Sequence, residues 1–126
     1  MISSISAMRG MKKNLTTYAA TKAGVALLAK GLQVELQDSP IKVSTIFPGF
    51  IRSEINEKVK NTPFLVDTET GCKALVKAIE KEGKNASVPG WPWGPLGFAM
   101  RNLPLKMVGK ILSGKAFKAV WLWLKG

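Results

Sequence analysis

The only tyrosine of the chain opens the run Tyr18-Ala19-Ala20-Thr21-Lys22, which sets a phenol four residues ahead of an ammonium. On a helix, residues i and i+4 are neighbours on one face, so the two groups project side by side. A cation beside a phenol favours the phenolate, and a phenol poised in this way can pass a proton to or from an oxygen. This is acid–base chemistry suited to a carbonyl or an alcohol, and it requires no histidine, of which the chain has none. A hydroxyl beside the same substrate oxygen would orient it and stabilise developing charge. Ser3, Ser4 and Ser6 stand a loop's length upstream and are the candidates for that hydroxyl. Taken alone, Tyr-x-x-x-Lys is weakly specific, because a plain surface helix pair has the same spacing.

The elements that would position these groups alternate between helix and strand. An alanine-rich stretch predicts a helix over residues 18–37, capped by Thr16 or Thr17, with Val25, Leu28, Leu32 and Leu36 forming a face packed on a sheet. Pro40 ends it, and residues 41–47, rich in β-branched side chains, predict a strand broken by Pro48-Gly49. Asp67 or Thr68 opens a second helix, in which Cys72, Leu75, Val76 and Ile79 face inward and Lys73, Lys77, Glu80 and Lys81 face water. Residues 86–88 predict another short strand, and residues 1–5 the end of one. Helix and strand in this order specify an α/β layered sheet with parallel strands. So few strands make a poor sheet alone, and the chain reads as part of something larger.

Composition narrows the chemistry further. The 126 residues are 46% apolar, enough for a packed core. One Cys and no His exclude a Cys/His zinc site, a disulfide framework and a His-based triad, and fit a reducing compartment. The net charge of +11 is unevenly spread. Residues 1–82 hold 12 basic and 8 acidic side chains, whereas residues 83–126 hold 7 basic and none acidic, with all four Trp. The chain thus divides into a mixed-charge body and a basic, Trp/Pro-rich tail. No basic n-region leads into an apolar run at the start, no run of about 20 apolar residues occurs, and the two Asn-x-Ser/Thr matches read as chance. The tail suits a substrate lid, or a helix lying on an anionic membrane surface. No nucleic-acid fingerprint accompanies the charge, which argues against that partner.

Ser-Ser after a strand end, a loop, the Tyr18–Lys22 helix, then a strand ending in Phe47-Pro48-Gly49-Phe50-Ile51-Arg52-Ser53 together resemble the short-chain dehydrogenase/reductase family, in its C-terminal half. The resemblance covers residues 1–90. It implies the C-terminal half of a Rossmann-type doubly wound parallel sheet in that span, with residues 91–126 as a lid or membrane-contacting tail. It implies that Tyr18 is the catalytic acid/base and that Lys22 binds the nicotinamide ribose hydroxyls of NAD or NADP and favours the tyrosinate. Ser4 matches the substrate-orienting serine, although it stands 14 residues before Tyr18, one more than the common spacing; Ser3 and Ser6 are the alternatives. Pro48, Gly49, Ile51 and Ser53 match the segment that contacts the nicotinamide, with Ser53 in place of the usual threonine.

The implied activity is interconversion of a small-molecule alcohol and a ketone or aldehyde, in a cytoplasmic protein that could form homo-oligomers. The glycine-rich turn that cradles the cofactor phosphates and the family's active-site asparagine have no counterpart here. The expectation is therefore a sequence that begins inside a longer reading frame and has little activity alone. The alternative is a non-catalytic basic protein held on anionic membranes by its tail.

Overall fold

A computed structural model describes residues 1–11, 15–54 and 64–112. The lysines and tryptophans of the tail beyond residue 112 lie outside the described residues. The first helix, α1, runs from Leu15 to Glu35, three residues earlier than its threonine caps suggest. Thr16 lies within its first turn and donates to Met11 O at 2.8 Å. Its buried side is built of alanines, Ala19 and Ala29, with Ala23 and Ala26 half-buried between them, while Leu28 is 59% exposed. Val25, Leu32 and Leu36 of the expected face are half-buried as well, so Leu28 alone departs from it. Small side chains let the helix approach closely, and α1 packs on the short 3-10 helix Ile5–Met8.

Strand β1 spans Thr45–Pro48 and pairs in parallel with β2, Asn85–Val88, in the register Thr45↔Asn85 to Pro48↔Val88. The strand expected from residue 41 is shorter because its partner offers only four residues. Upstream carbonyls are occupied otherwise: Gln33 Nε2, from α1, donates to Val43 O at 2.8 Å and to Lys84 O at 2.9 Å, tying the helix to the entrances of both strands. Residues 1–3 lie on the other side of β1, with Ile2 bridged to Ile46 in parallel. Ser3 N donates to Ile46 O at 2.8 Å, and Ile46 N to Met1 O at 2.9 Å. Thr45, Ile46 and Phe47 are buried at the centre of this arrangement.

Helix α2, Thr68–Glu80, starts where expected, with Asp67 accepting from Thr70 N at 2.8 Å. Its orientation differs from the expected one. Gly71 is buried and Ala74, Leu75 and Ala78 are half-buried, while Cys72, Val76 and Ile79 are exposed. The physical reason is Gly71 itself: a Cβ there would lie 2.5 Å from Ile51 Cγ2, so the helix seats its bare glycine on the chain after β1. Helix α3, Gly90–Asn102, and helix α4, Leu105–Leu112, follow β2. Trp93, Leu96 and Met100 of α3 and Val108 of α4 close a core with Ile5. No helix among the described residues is long and apolar enough to cross a membrane.

Candidate active site

Parallel strands bring their carboxyl ends to one edge of a sheet, and ligands of open α/β sheets bind there. Because Ile2 pairs with Ile46, the same register carries Ser4 to the level of Pro48. The two segments singled out in the sequence, the serines and Pro48-Gly49, therefore leave adjacent strands at the same edge.

Ser3, Ser4 and Ser6 are all buried, and each hydroxyl has a different employment. Ser3 Oγ donates to Lys22 O at 2.7 Å, mooring α1 to the strand end. Ser4 is the N-cap of the 3-10 helix; its Oγ accepts from Ser6 N at 3.2 Å and from Ser6 Oγ at 2.8 Å. Lys22 Nζ lies 5.8 Å from the Tyr18 ring centroid and donates to Ile2 O at 3.4 Å. The structure thus brings Tyr18 and Lys22 together on one face of α1, and it fastens Lys22 from both backbone and side chain to the strand that delivers Ser4. Tyr18 is 44% exposed.

The segment after β1 is held from three sides. Gly49 N donates to Val88 O at 2.8 Å. Phe50 O accepts from Val66 N at 3.1 Å and Arg52 N donates to Val66 O at 2.9 Å, which makes Ile51 the centre of a parallel bridge with Val66. Thr68 Oγ1 donates to Arg52 O at 2.8 Å, leading into exposed Ser53. Above Gly49 sits Trp93, 2% exposed, whose Nε1 would stand 2.1 Å from any added Cβ. Phe50 and Phe64 meet the same indole edge-on, at centroid distances of 5.6 and 5.8 Å. The sequence reading placed Trp93 in the lid or membrane-contacting tail and did not foresee its contact with Gly49. The glycine of Pro48-Gly49 signals a close approach by something, but nothing local says by what.

Known proteins are similar to this chain over the same parts. The model of the family described as short chain dehydrogenase matches residues 1–64, which include Ser4, Tyr18, Lys22 and residues 48–53. An uncharacterized oxidoreductase of Mycobacterium tuberculosis is 44% identical over 107 residues, covering 85% of this chain and 42% of the relative. Oxidoreductase UcpA of Escherichia coli K12 is 34% identical over 79 residues, or 63% of this chain and 30% of the relative. The 3-oxoacyl-[acyl-carrier-protein] reductase FabG of Chlamydia trachomatis is 41% identical over 64 residues, covering 48% of this chain and 25% of the relative. The chain therefore spans less than half the length of these proteins.

Proposed function

The chain belongs to the short-chain dehydrogenase family, and from that premise we propose that it carries the catalytic segment of an NAD(P)-dependent oxidoreductase interconverting an alcohol and a ketone or aldehyde. The observation that supports this reading most is the Tyr18–Lys22 pair, with Lys22 Nζ 5.8 Å from the phenol ring and bonded to the strand that ends in Ser4.

The residues present fit the nicotinamide–ribose end of such a cofactor. An ammonium has three N–H donors, and Lys22 uses one, at 3.4 Å, on Ile2 O. The others suit a pair of ribose hydroxyls. The backbone of residues 48–52, pinned by Val66 and Trp93, gives the carboxamide a firm surface with Ser53 beside it. When bound, NAD or NADP would supply the hydride donor or acceptor at the substrate carbon. Tyr18 Oη gives a proton to the substrate oxygen during reduction and takes it back during oxidation. Ser4 Oγ donates a hydrogen bond to that oxygen and holds it against the phenol. No glycine-rich turn for the phosphates occurs in the sequence, so the 126 residues alone should turn over little or no substrate.

The reading is tested in the product of the complete reading frame that carries these residues. Tyr18→Phe should lower kcat at least a hundredfold, the order of a lost general acid or base. Binding of NADH or NADPH, followed by fluorescence, should be nearly unchanged. Retained turnover in this variant would refute the role of Tyr18. Failure of the parent protein to reduce any member of a panel of ketones and aldehydes with either cofactor would refute the oxidoreductase itself.

A further inference from the structure

The three serines at the strand end differ in a way that reaches beyond the choice of one of them. A hydroxyl has one proton to donate and two lone pairs to accept with. Ser4 Oγ spends both lone pairs on one residue, accepting from the Ser6 amide at 3.2 Å and from the Ser6 hydroxyl at 2.8 Å. The Ser6 hydroxyl has no acceptor other than Ser4 Oγ among the described residues, so it is the donor of this 2.8 Å pair, and the Ser4 proton is left for an acceptor beyond them. Ser3 Oγ is turned to Lys22 O, to which it donates at 2.7 Å, and no hydrogen bond joins it to Ser4 Oγ among the described residues. Ser6 is 7% exposed and sits inside the 3-10 helix that Ser4 caps, next to core residue Ile5, so its hydroxyl is shielded from water and keeps its proton on Ser4 Oγ.

We propose that Ser6 is a positioning residue that commits the Ser4 hydroxyl to act as a donor toward a ligand oxygen. This rests on the oxidoreductase reading and deepens it. A carbonyl oxygen can only accept, and an alcohol oxygen that has passed its proton to Tyr18 can also only accept. In both directions the useful Ser4 is one that donates. A serine with an open lone pair could turn its proton onto a neighbour or water and would have to reorient when substrate arrives. With both lone pairs filled before binding, that reorganisation is avoided, which is the general advantage of preorganised donors at a reacting oxygen. Ser6 touches neither substrate nor cofactor in this arrangement; its effect passes entirely through Ser4.

A double-mutant cycle distinguishes this from a merely structural role. In the product of the complete reading frame, Ser6→Ala should lower kcat about tenfold, the rate equivalent of one neutral hydrogen bond, without changing the cofactor Kd. Ser6→Thr, which keeps the hydroxyl, should recover most of the loss. In a Ser4→Ala background, itself slower by about a hundredfold or more, adding Ser6→Ala should have no further effect. An equal tenfold loss in both backgrounds would overturn the proposal, since it would show that Ser6 acts independently of Ser4. Hydroxyl-proton NMR of the 126-residue chain reads the geometry without turnover. A slowly exchanging hydroxyl proton is expected at Ser6 and a rapidly exchanging one at Ser4. The opposite assignment would overturn the proposal even in an active enzyme. A parent protein that reduces nothing, yet shows the expected exchange pattern, would instead locate the failure in the reaction reading and remove the catalytic use of the pair.

Discussion

Lys22 is fastened twice. Its carbonyl accepts from Ser3 Oγ and its ammonium reaches Ile2 O, so the same side chain that stands beside the phenol also joins α1 to the strand end. Lys22→Met keeps the methylene stem and removes the charge. The variant should show a kcat lower by about a hundredfold, as for loss of an activating partner in acid–base catalysis, and weaker cofactor binding. The carbonyl bond from Ser3 is untouched by the change, so circular dichroism should report an unaltered helix. A variant that loses helix content instead would show that Lys22 serves mainly to hold the fold. The Tyr18–Lys22 pairing was legible in the sequence because helical spacing is a local property. Choosing among Ser3, Ser4 and Ser6 was not, since their partners include the backbone of a helix that begins only after the intervening loop.

At the level of elements, two glycines with opposite surroundings make a paired prediction. A Cβ added at Gly24, in α1, meets nothing within 4 Å, so Gly24→Ala should stabilise the chain by about 0.5–1 kcal/mol through helix propensity. Gly71→Ala gains the same propensity but drives a Cβ to 2.5 Å from Ile51 Cγ2, and overpacking costs about 1–3 kcal/mol. Urea unfolding should therefore move in opposite directions for the two variants. The start of α2 adds a pH dependence. The Asp67 carboxylate accepts from the Thr70 amide, which holds its pKa below the ordinary 3.8. Its folded value lies below its unfolded one, so its contribution to stability is present above about pH 3.8 and lost as the pH falls through the lowered value. Asp67→Ala should be less stable than the parent at neutral pH, and the difference should vanish in strong acid. A difference that persists there would assign the effect to something other than the charge. The start of α2 was readable from its cap, but the face it buries was not. Cys72, Val76 and Ile79 have helical spacing, yet the bare backbone of Gly71 is what fits against Ile51.

For the whole molecule, Trp93 is the keystone. It lies in the core with Ile5, Leu96, Met100 and Val108, covers Gly49, and meets Phe50 and Phe64 edge-on. Trp93→Ala should cost about 3–5 kcal/mol, a large part of the stability of any domain this small, and should loosen residues 48–53 before α1. Hydrogen exchange measured residue by residue would show that order. The surface carries a further consequence: Leu27, Leu28 and Val34 on α1 are 70, 59 and 67% exposed. Apolar side chains grouped in this way favour association, so sedimentation velocity of the isolated chain should show species heavier than 13.7 kDa, and Leu28→Lys should shift them toward the monomer. What the sequence determined by itself is the local grammar: a helix presenting phenol and ammonium on one face, a strand ended by Pro48-Gly49, a capped second helix, and their order, which together point to the family. Each of these depends on residues within a turn or two of one another. The tertiary structure alone decided that Ala19 and Ala29 are the most deeply buried residues of α1, that the amide and hydroxyl of Ser6 both meet Ser4 Oγ, and that a tail tryptophan clamps the turn at the strand end. The burial and the clamp rest on close contacts between residues far apart in the chain, where the fit of one particular pair of surfaces, rather than a repeating pattern, sets the free energy.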